Sequence, residues 1–351
     1  MNTSGFRDFM KQLMDNALLN DIPVSGSFEL TPLCNLDCRM CYVHLQEASV
    51  GKRMLDGRKW MDIMQQAISK GMIFAVLTGG EAMTHPDFWD IYSFLNKEGV
   101  RVRVKTNGVL LDEENIRRFS ECPPTCIDVS LYGYNPESYK AVTGHDVFAK
   151  VVNNIRNAVE AGLSVKLIVT PNRYMYPWID EILEFAAGFQ LPVTVNSVLF
   201  EAREGIARSK DDYGLSQSEY VYVAKKRKMM FNNNITDEDM EQIADESVIH
   251  EIKGLPCAAA RRTFSVNWEG VMLPCLAFPK ELISEDMKAL GFDEAFGRMN
   301  RAVKEFGSPD ECRECSHRMK CHYCPPKHGA YALTHSCDSA FCDTWKKMLD
   351  I

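Results

Sequence analysis

Apolar positions recur with two periods between residue 27 and about residue 197. Six short runs are rich in aliphatic and β-branched side chains and are separated by longer polar stretches. Such runs predict buried strands. They cover residues 27–30, 73–77, 100–105, 126–131, 164–169 and 193–197.

The stretches between these runs have the helical period. One apolar stripe consists of Val147, Val151, Ile155 and Val159, with Phe148 and Val152 beside it, and a second consists of Ile179, Ile182, Leu183 and Ala186. Strands that alternate with helices favour parallel pairing through right-handed crossovers. The pattern therefore predicts an α/β fold, a partial (β/α)6 TIM-like barrel, although a doubly wound open sheet gives a similar pattern. In either fold, ligands bind at the carboxyl ends of the strands.

The chain divides into four predicted regions. Residues 1–26 form an N-terminal segment and residues 27–200 the barrel. Residues 201–254 are more polar and predict a connecting region with one or two helices. In residues 255–351 cysteines, prolines and short elements replace the strand–helix alternation, so a small cysteine-rich domain is expected to begin near Leu255.

Composition narrows the class of protein. Apolar residues make up 46% of the chain and charged residues 25%, which is typical of a soluble globular protein. The net charge of −8 argues against nucleic-acid binding. No apolar run has the roughly 18 residues of a membrane span, and the N-terminus does not have a secretory pattern. A reducing cytoplasm is expected.

The 13 cysteines are unevenly distributed. Three lie in Cys34–Cys41, two are Cys122 and Cys126, and eight follow residue 256. Clustered thiols in a reducing compartment indicate metal ligands rather than disulfides. Cys122 and Cys126 are interpreted as buried core residues, because free cysteine often packs as a small apolar side chain.

The first cysteine group follows the first predicted strand directly. Cys34, Cys38 and Cys41 have the spacing C-x3-C-x2-C. Three thiolates on one loop can bind three irons of a [4Fe–4S] cluster and leave the fourth iron for a small chelating ligand. Zinc, with His44 as a fourth ligand, is the alternative.

This loop resembles the cluster-binding motif of radical S-adenosylmethionine (SAM) enzymes. The resemblance implies that Cys34, Cys38 and Cys41 hold the cluster and that SAM chelates the fourth iron. It further implies that one electron releases a 5′-deoxyadenosyl radical, which abstracts a hydrogen atom. Met40 stands where the family usually has an aromatic residue.

Further motifs of the same family stand at later strand ends. Thr78-Gly-Gly-Glu ends the second predicted strand, Lys105-Thr-Asn-Gly ends the third, and a serine ends the fourth. The resemblance implies SAM contacts from Gly79, Gly80, Glu81, Asn107, Ser130 and Lys140. Ordinary turns and strand-end capping are the alternatives for these residue types.

The second cysteine set has a regular spacing. It runs Cys257-x12-Gly270-x4-Cys275, Cys312-x2-Cys315-x5-Cys321-x2-Cys324, then Cys337 and Cys342. Zinc ribbons also use paired C-x2-C hooks. The spacing resembles the SPASM extension of radical SAM enzymes, except that the last x2 step is x3 in that family.

The SPASM resemblance implies two auxiliary [4Fe–4S] clusters, and therefore three clusters in the chain. The first auxiliary cluster would use Cys257, Cys275 and Cys324. The second would use Cys312, Cys315, Cys321 and Cys342. Cys337 is then spare or completes the first auxiliary cluster.

Relatives with this layout mostly modify peptides. The resemblance implies a radical SAM maturase that acts on a ribosomally made peptide by thioether or carbon–carbon cross-linking, epimerisation or residue oxidation. Its partners would be that peptide, an external one-electron reductant such as flavodoxin or ferredoxin, and a separate leader-binding protein, since only 33 residues precede Cys34. The alternatives are a dehydrogenase or epimerase of a sugar or aminoglycoside, a sulfatase-maturating oxidation, and a non-catalytic iron–sulfur or zinc scaffold.

Overall fold

Nine strands form one sheet in the computed structural model of the chain. Their order across the sheet is β6-β5-β4-β3-β2-β1-β7-β8-β9. The structure describes residues 3–43, 45, 50, 53–196, 199–201, 210–231, 253–317, 323–328, 332, 336 and 338–349.

The first six strands confirm the six predicted runs, with bounds that differ by at most two residues. They are β1 (Ser25–Glu29), β2 (Phe74–Thr78), β3 (Arg101–Thr106), β4 (Cys126–Ser130), β5 (Val165–Val169) and β6 (Val193–Val195). Each pairs in parallel with the next strand of the chain. A doubly wound sheet reverses direction at a switch point. The uninterrupted order β1 to β6 is therefore that of a partial barrel.

Seven helices accompany these strands within the described residues. They are α1 (Thr3–Leu19), α2 (Gly57–Ser69), α3 (Phe88–Lys97), α4 (Glu113–Glu121), α5 (Pro136–Thr143), α6 (Phe148–Glu160) and α7 (Ile179–Gly188). The predicted stripe on α7 is buried at all four positions. On α6, Val151, Val152 and Ile155 are buried, but Val159 is 39% exposed, because in the last turn Ala158 takes the buried position instead.

The cysteine-rich region begins by extending the same sheet. Strand β7 (Thr263–Val266) pairs in parallel with β1, and β8 (Val271–Leu273) and β9 (Glu285–Asp286) continue in antiparallel order. The β7–β8 turn uses Gly270 at φ +83°, a backbone conformation that glycine adopts without strain. Short elements were expected to replace the strand–helix alternation near Leu255, but their pairing with the barrel sheet was not expected. The four-region division of the chain stays a prediction.

The connecting region contains two described helices, in agreement with its polar, helical pattern. They are α8 (Lys210–Tyr213) and α9 (Gln217–Phe231). The remaining helices are α10 (Met287–Glu305), α11 (Asp310–Arg313), α12 (Pro325–His328) and α13 (Ser339–Leu349). Helix α9 lies against α13, where the Gln217 side chain bonds Thr344 and Lys347. No helix in the described ranges is both long and apolar enough to cross a membrane.

Cys122 and Cys126 differ in their exposure to solvent. Cys126 is buried at the start of β4, as predicted. Cys122 is exposed, and the prediction that it is a core residue is wrong. It follows the last residue of α4, where its carbonyl accepts a hydrogen bond from the Tyr92 hydroxyl at 2.6 Å while the residue itself keeps its exposure to solvent.

The concave face of the barrel is polar. Glu29, Arg103, Asp128 and Lys166 are buried on four different strands, and Arg103 Nε lies 3.9 Å from Asp128 Oδ1. Barrels that serve only as packed cores fill this space with aliphatic side chains. The composition of this face therefore favours a chamber for polar ligands.

An aromatic cluster joins the barrel to the cysteine-rich region. Phe28 on β1 is fully buried and meets Trp60 of α2 and Phe264 of β7 edge-on, at ring distances of 6.0 and 5.8 Å. Phe264 in turn meets Phe292 of α10 at 4.9 Å. Burial of these rings ties β1, the strand before the first cysteine group, to both parts of the chain.

The substitution Phe28→Ala should lower the free energy of unfolding by about 3–5 kcal/mol, because it leaves a cavity between the rings of Trp60 and Phe264. Urea denaturation followed by circular dichroism measures the change. Phe9→Ala removes a ring that is 50% exposed and serves as the control, with an expected change below about 1 kcal/mol. Equal losses for both variants would contradict the central position of Phe28.

Candidate functional site

The loop after β1 brings three thiols together. Cys38 is buried, and Cys34 and Cys41 are half-buried. Desolvation, followed by the charges of Glu81 and Cys41, raises the pKa of Cys34 to about 12. Desolvation and the two other thiols raise the pKa of Cys38 well above its usual range. The three sulfurs therefore lie within electrostatic reach of one another and require positive charge to ionise together.

Backbone hydrogen bonds hold the cysteine loop at its centre. The amide of Asp37 donates to Thr143 O at 3.2 Å, and that of Arg39 donates to Val142 O at 2.9 Å. Both acceptors lie in the last turn of α5. The loop is thus positioned by a helix that follows β4, three strands away in the sheet.

The glycine-rich turn after β2 is bonded to the start of the same loop. The Gly80 amide donates to Thr31 O, and the Glu81 amide donates to Leu33 O, both at 2.8 Å. A Cβ at Gly80 would lie 2.4 Å from Leu33 O, and one at Gly79 would lie 2.5 Å from Thr31 O. Only glycine permits this approach of two backbones. The predicted SAM contacts of Gly79, Gly80 and Glu81 stay predictions.

The Glu81 side chain joins the ends of β2 and β3. Its carboxylate is 1% exposed and accepts hydrogen bonds from Thr106 Oγ1 at 2.9 Å, Asn107 N at 2.8 Å and Met83 N at 3.3 Å. Burial raises the pKa of this carboxyl to about 7, although the three donors act in the opposite direction. The group fixes the backbone that carries Asn107.

Asn107 lies against the cysteine loop. Its amide nitrogen is 2.7 Å from Asn35 Oδ1 and 3.5 Å from Cys34 Sγ. The Cys34 sulfur also accepts from the Leu36 amide at 3.4 Å. The structure thus brings Asn107, a predicted SAM contact, to the first cysteine group.

Ser130 and Lys140, the two other predicted SAM contacts, lie in different environments. Ser130 ends β4, and its hydroxyl bonds that of Tyr132, which in turn bonds Cys38. Lys140 has an exposed side chain on α5. Sequence reasoning missed Tyr132, although it stands two residues after Ser130 and could have been found as the next position on the same side of the extended chain.

A buried tyrosine provides a test of whether the pocket fits a [4Fe–4S] cluster. The Tyr139 hydroxyl is buried with no hydrogen-bond partner in the described part of the chain. It lies within electrostatic reach of Cys38. Buried hydroxyls normally have an acceptor, and a cluster supplies sulfide and thiolate sulfurs as acceptors. The donor set of three thiols and an orphaned hydroxyl therefore fits this cofactor.

The spacing of the thiols also bears on the zinc alternative. Among the described residues, no three Cys, His, Asp or Glu side chains converge closely enough for a single metal ion. A cubane cluster spaces its ligands further apart, because each thiolate binds a different iron. His44, the fourth zinc ligand in the alternative, lies outside the described residues.

Three thiols of the C-terminal set also lie close together. Cys257 keeps exposed surface, but desolvation of its sulfur and the nearby Cys324 raise its pKa to about 11. Desolvation, Cys324 and Cys257 raise the pKa of Cys275 to about 12. This grouping is the one that the SPASM resemblance implies for the first auxiliary cluster.

The second auxiliary set is described only in part. Cys312 and Cys315 stand in one turn, where the Cys315 amide donates to Cys312 O at 3.4 Å, and Cys342 is half-buried in α13. Cys321 and Cys337 lie outside the described residues. The assignment of these five cysteines to clusters therefore stays a prediction.

Comparisons with known proteins agree with this geometry. The sequence model of the Radical SAM superfamily matches residues 28–186, which hold the first cysteine group and the strands β2 to β5. Residues 28–186 are therefore a radical SAM domain. The chain is an enzyme, and this domain implies SAM and a [4Fe–4S] cluster as its cofactors, which disfavours the non-catalytic scaffold.

Individual relatives cover nearly the whole chain. It is similar to the mycofactocin maturase MftC of Mycobacterium ulcerans (strain Agy99), with 25% identity over 86% of this chain and 82% of the relative. The solved structure of anSMEcpe with bound AdoMet has a TM-score of 0.67 at 16% identity, over 93% of this chain and 96% of that one. Streptococcus suis SuiB bound to precursor peptide SuiA has a TM-score of 0.62 at 14% identity, over 91% and 76%. Both structures show the same fold.

The raised pKa of Glu81 predicts a pH dependence of stability. Its pKa of about 7 in the folded chain exceeds the ordinary value of 4.5, so the folded chain binds more protons between these pH values. The free energy of unfolding of the cluster-free chain should therefore fall as the pH rises through this window. At about 1.4 kcal/mol per pKa unit, the contribution is at most about 3.5 kcal/mol.

The substitution Glu81→Gln should remove this contribution, which urea denaturation on both sides of the window measures as a flatter pH profile. Glu114→Gln, at an exposed carboxylate in the first turn of α4, is the matched control and should keep the wild-type profile. A Glu81→Gln profile parallel to the wild type would show that Glu81 remains ionised throughout.

Proposed function

We propose that this enzyme cleaves SAM reductively at the Cys34–Cys41 loop and uses the radical to modify a ribosomally made peptide. When bound, the cluster and SAM supply one-electron chemistry, in which a 5′-deoxyadenosyl radical abstracts a hydrogen atom. The observation that carries the proposal is the group of three mutually close thiols on one loop, at the carboxyl edge of a partial barrel.

The residues at the carboxyl ends of the strands have separate roles. Cys34, Cys38 and Cys41 hold the cluster, and the bonded glycine turn fixes the loop that carries them. Gly79, Gly80, Glu81, Asn107, Ser130 and Lys140 remain the proposed surroundings of SAM. The polar barrel interior below them would receive the substrate group that loses hydrogen, away from bulk water.

The C-terminal cysteines are proposed to hold two auxiliary [4Fe–4S] clusters. The closeness of Cys257, Cys275 and Cys324 supports the first. Cys312, Cys315, Cys321 and Cys342 would hold the second, and Cys337 would complete the first or remain spare. Residues 255–351 would then be a SPASM domain, whose opening strands also belong to the barrel sheet.

The names of the relatives support a peptide substrate. MftC is a maturase, and SuiB was solved with its precursor peptide. Both favour a peptide over a sugar or aminoglycoside. An external reductant such as flavodoxin or ferredoxin would supply the electron, and a separate protein would bind the peptide leader. A reducing, oxygen-poor cytoplasm suits exposed clusters and thiolates.

Cys38→Ala should abolish formation of 5′-deoxyadenosine from SAM and a reductant, because it removes a buried ligand of the proposed cluster. Iron should fall by about four per chain, the content of one cubane. Chromatography of the nucleoside and iron analysis measure the two effects. Cys122→Ala, at an exposed thiol after α4, is the control and should retain both. Continued 5′-deoxyadenosine formation by Cys38→Ala would overturn the assignment of the first cluster.

The same assay should distinguish loss of an auxiliary cluster from loss of the first cluster. Cys275→Ala and Cys315→Ala should each lose about four irons per chain, while a substantial part of the SAM cleavage remains. Iron analysis and the paramagnetic signal of the SAM-binding cluster measure this. A chain that keeps its full iron content in both variants would contradict the two auxiliary clusters without affecting the first one.

A further inference from the structure

Two neutral side chains reach the cysteine sulfurs from neighbouring strand ends. Asn107 follows β3 and donates toward Cys34, and Tyr132 follows β4 and donates to Cys38. Neither side chain has a metal-binding role in the proposed function. Both belong to the wall that surrounds the first cluster site.

The orientation of Asn107 is fixed by three of its atoms. Its carbonyl oxygen Oδ1 accepts from the Val109 amide at 3.0 Å, so the amide nitrogen must point the other way, toward Cys34 and Asn35. Its backbone nitrogen is held by the buried Glu81 carboxylate at 2.8 Å. The donor is therefore in place before any cofactor binds.

Tyr132 lies between a hydroxyl and a thiol. Its side chain is hydrogen-bonded to the Ser130 side chain and to the Cys38 sulfur. The Tyr132 ring packs edge-on against the Tyr139 ring, with 5.8 Å between centroids. This packing limits the freedom of the donor and keeps it directed at the loop.

We propose that Asn107 and Tyr132 set the reduction potential of the first cluster by hydrogen bonds to the sulfurs of Cys34 and Cys38. The inference rests on the proposed cluster site. Reduction adds negative charge that is shared by the thiolate sulfurs, and a donor to a sulfur stabilises this charge. Each bond therefore raises the potential at which the cluster accepts an electron. The two residues are positioning residues, since they act on the cluster through its ligands.

Two substitutions remove the donors with little change of shape. Tyr132→Phe deletes only the hydroxyl. Asn107→Asp keeps an oxygen acceptor for the Val109 amide and replaces the donor with a negative group. Tyr92→Phe is the matched control, because it deletes a buried hydroxyl that bonds Cys122 O at 2.6 Å, away from the cysteine loop.

The experiment is a redox titration of the full chain, reconstituted without air. It follows the paramagnetic signal that changes on addition of SAM, so that only the first cluster is observed. We expect a more negative midpoint potential in Tyr132→Phe and in Asn107→Asp, and a shift close to the sum in the double variant. Tyr92→Phe should match the wild type, and iron content should be equal in the wild type and all four variants.

Several outcomes would overturn the proposal. Unchanged midpoints at full iron content show that the two bonds do not act on the cluster. Weaker SAM binding by Asn107→Asp at an unchanged midpoint leaves Asn107 only its proposed SAM contact and no effect on the potential. If Tyr132→Phe loses iron while the remaining first clusters keep the wild-type midpoint potential, the hydroxyl only stabilises the structure of the site. A wild-type chain without any SAM-responsive signal rejects the proposed function itself, and the proposal with it.

Discussion

The arrangement of the site depends on the contact between two backbones, the turn after β2 and the start of the cysteine loop. A loop that must hold three ligands in fixed positions loses conformational entropy for every residue that it orders. Here the amides of Gly80 and Glu81 bond the loop from one side, and the end of α5 bonds it from the other. Both supports are parts of regular structure packed on the sheet. The thiols are therefore positioned by the barrel rather than by the loop alone.

Electrostatics explains why this site calls for a metal cluster. Four groups that bond the sulfurs of Cys34 and Cys38 are neutral, namely Asn35, Leu36, Asn107 and Tyr132. Neutral donors orient a thiol, but they do not supply the positive charge that would ionise three thiols in a desolvated pocket. In the cluster-free chain Cys34 and Cys38 thus keep their protons. Cluster binding must release those protons, which couples loading of the site to pH.

Local patterns allowed the six parallel strands to be predicted, because each is a short apolar run bounded by polar turns. Chain order could not distinguish a barrel from a doubly wound sheet, and the pairing of neighbouring strands resolves this. The pairing of β7 with β1 was not predicted, since the partners are far apart in sequence and their register depends on tertiary packing. The first cysteine group was predictable from its spacing alone. Tyr139 was not, because a single tyrosine has no spacing pattern and its role depends on the packing of α5 against the loop.

The sheet also sets the relation between the two groups of thiols. Cys34 follows the carboxyl end of β1, whereas Cys257 precedes the amino end of β7, which runs parallel to β1. Cys275 follows β8, which runs antiparallel to β7 and so returns to the same edge as Cys257. The two groups of thiols therefore lie at opposite ends of the strands of one sheet. They are separated by about one strand length, on the order of 15 Å at roughly 3.3 Å per residue.

The buried polar face of Glu29, Arg103, Asp128 and Lys166 lies between those strand ends. A substrate held in the barrel would thus have the first cluster site above it and the first auxiliary thiols below it, and the Phe28–Phe264 contact joins the two strands that separate these groups.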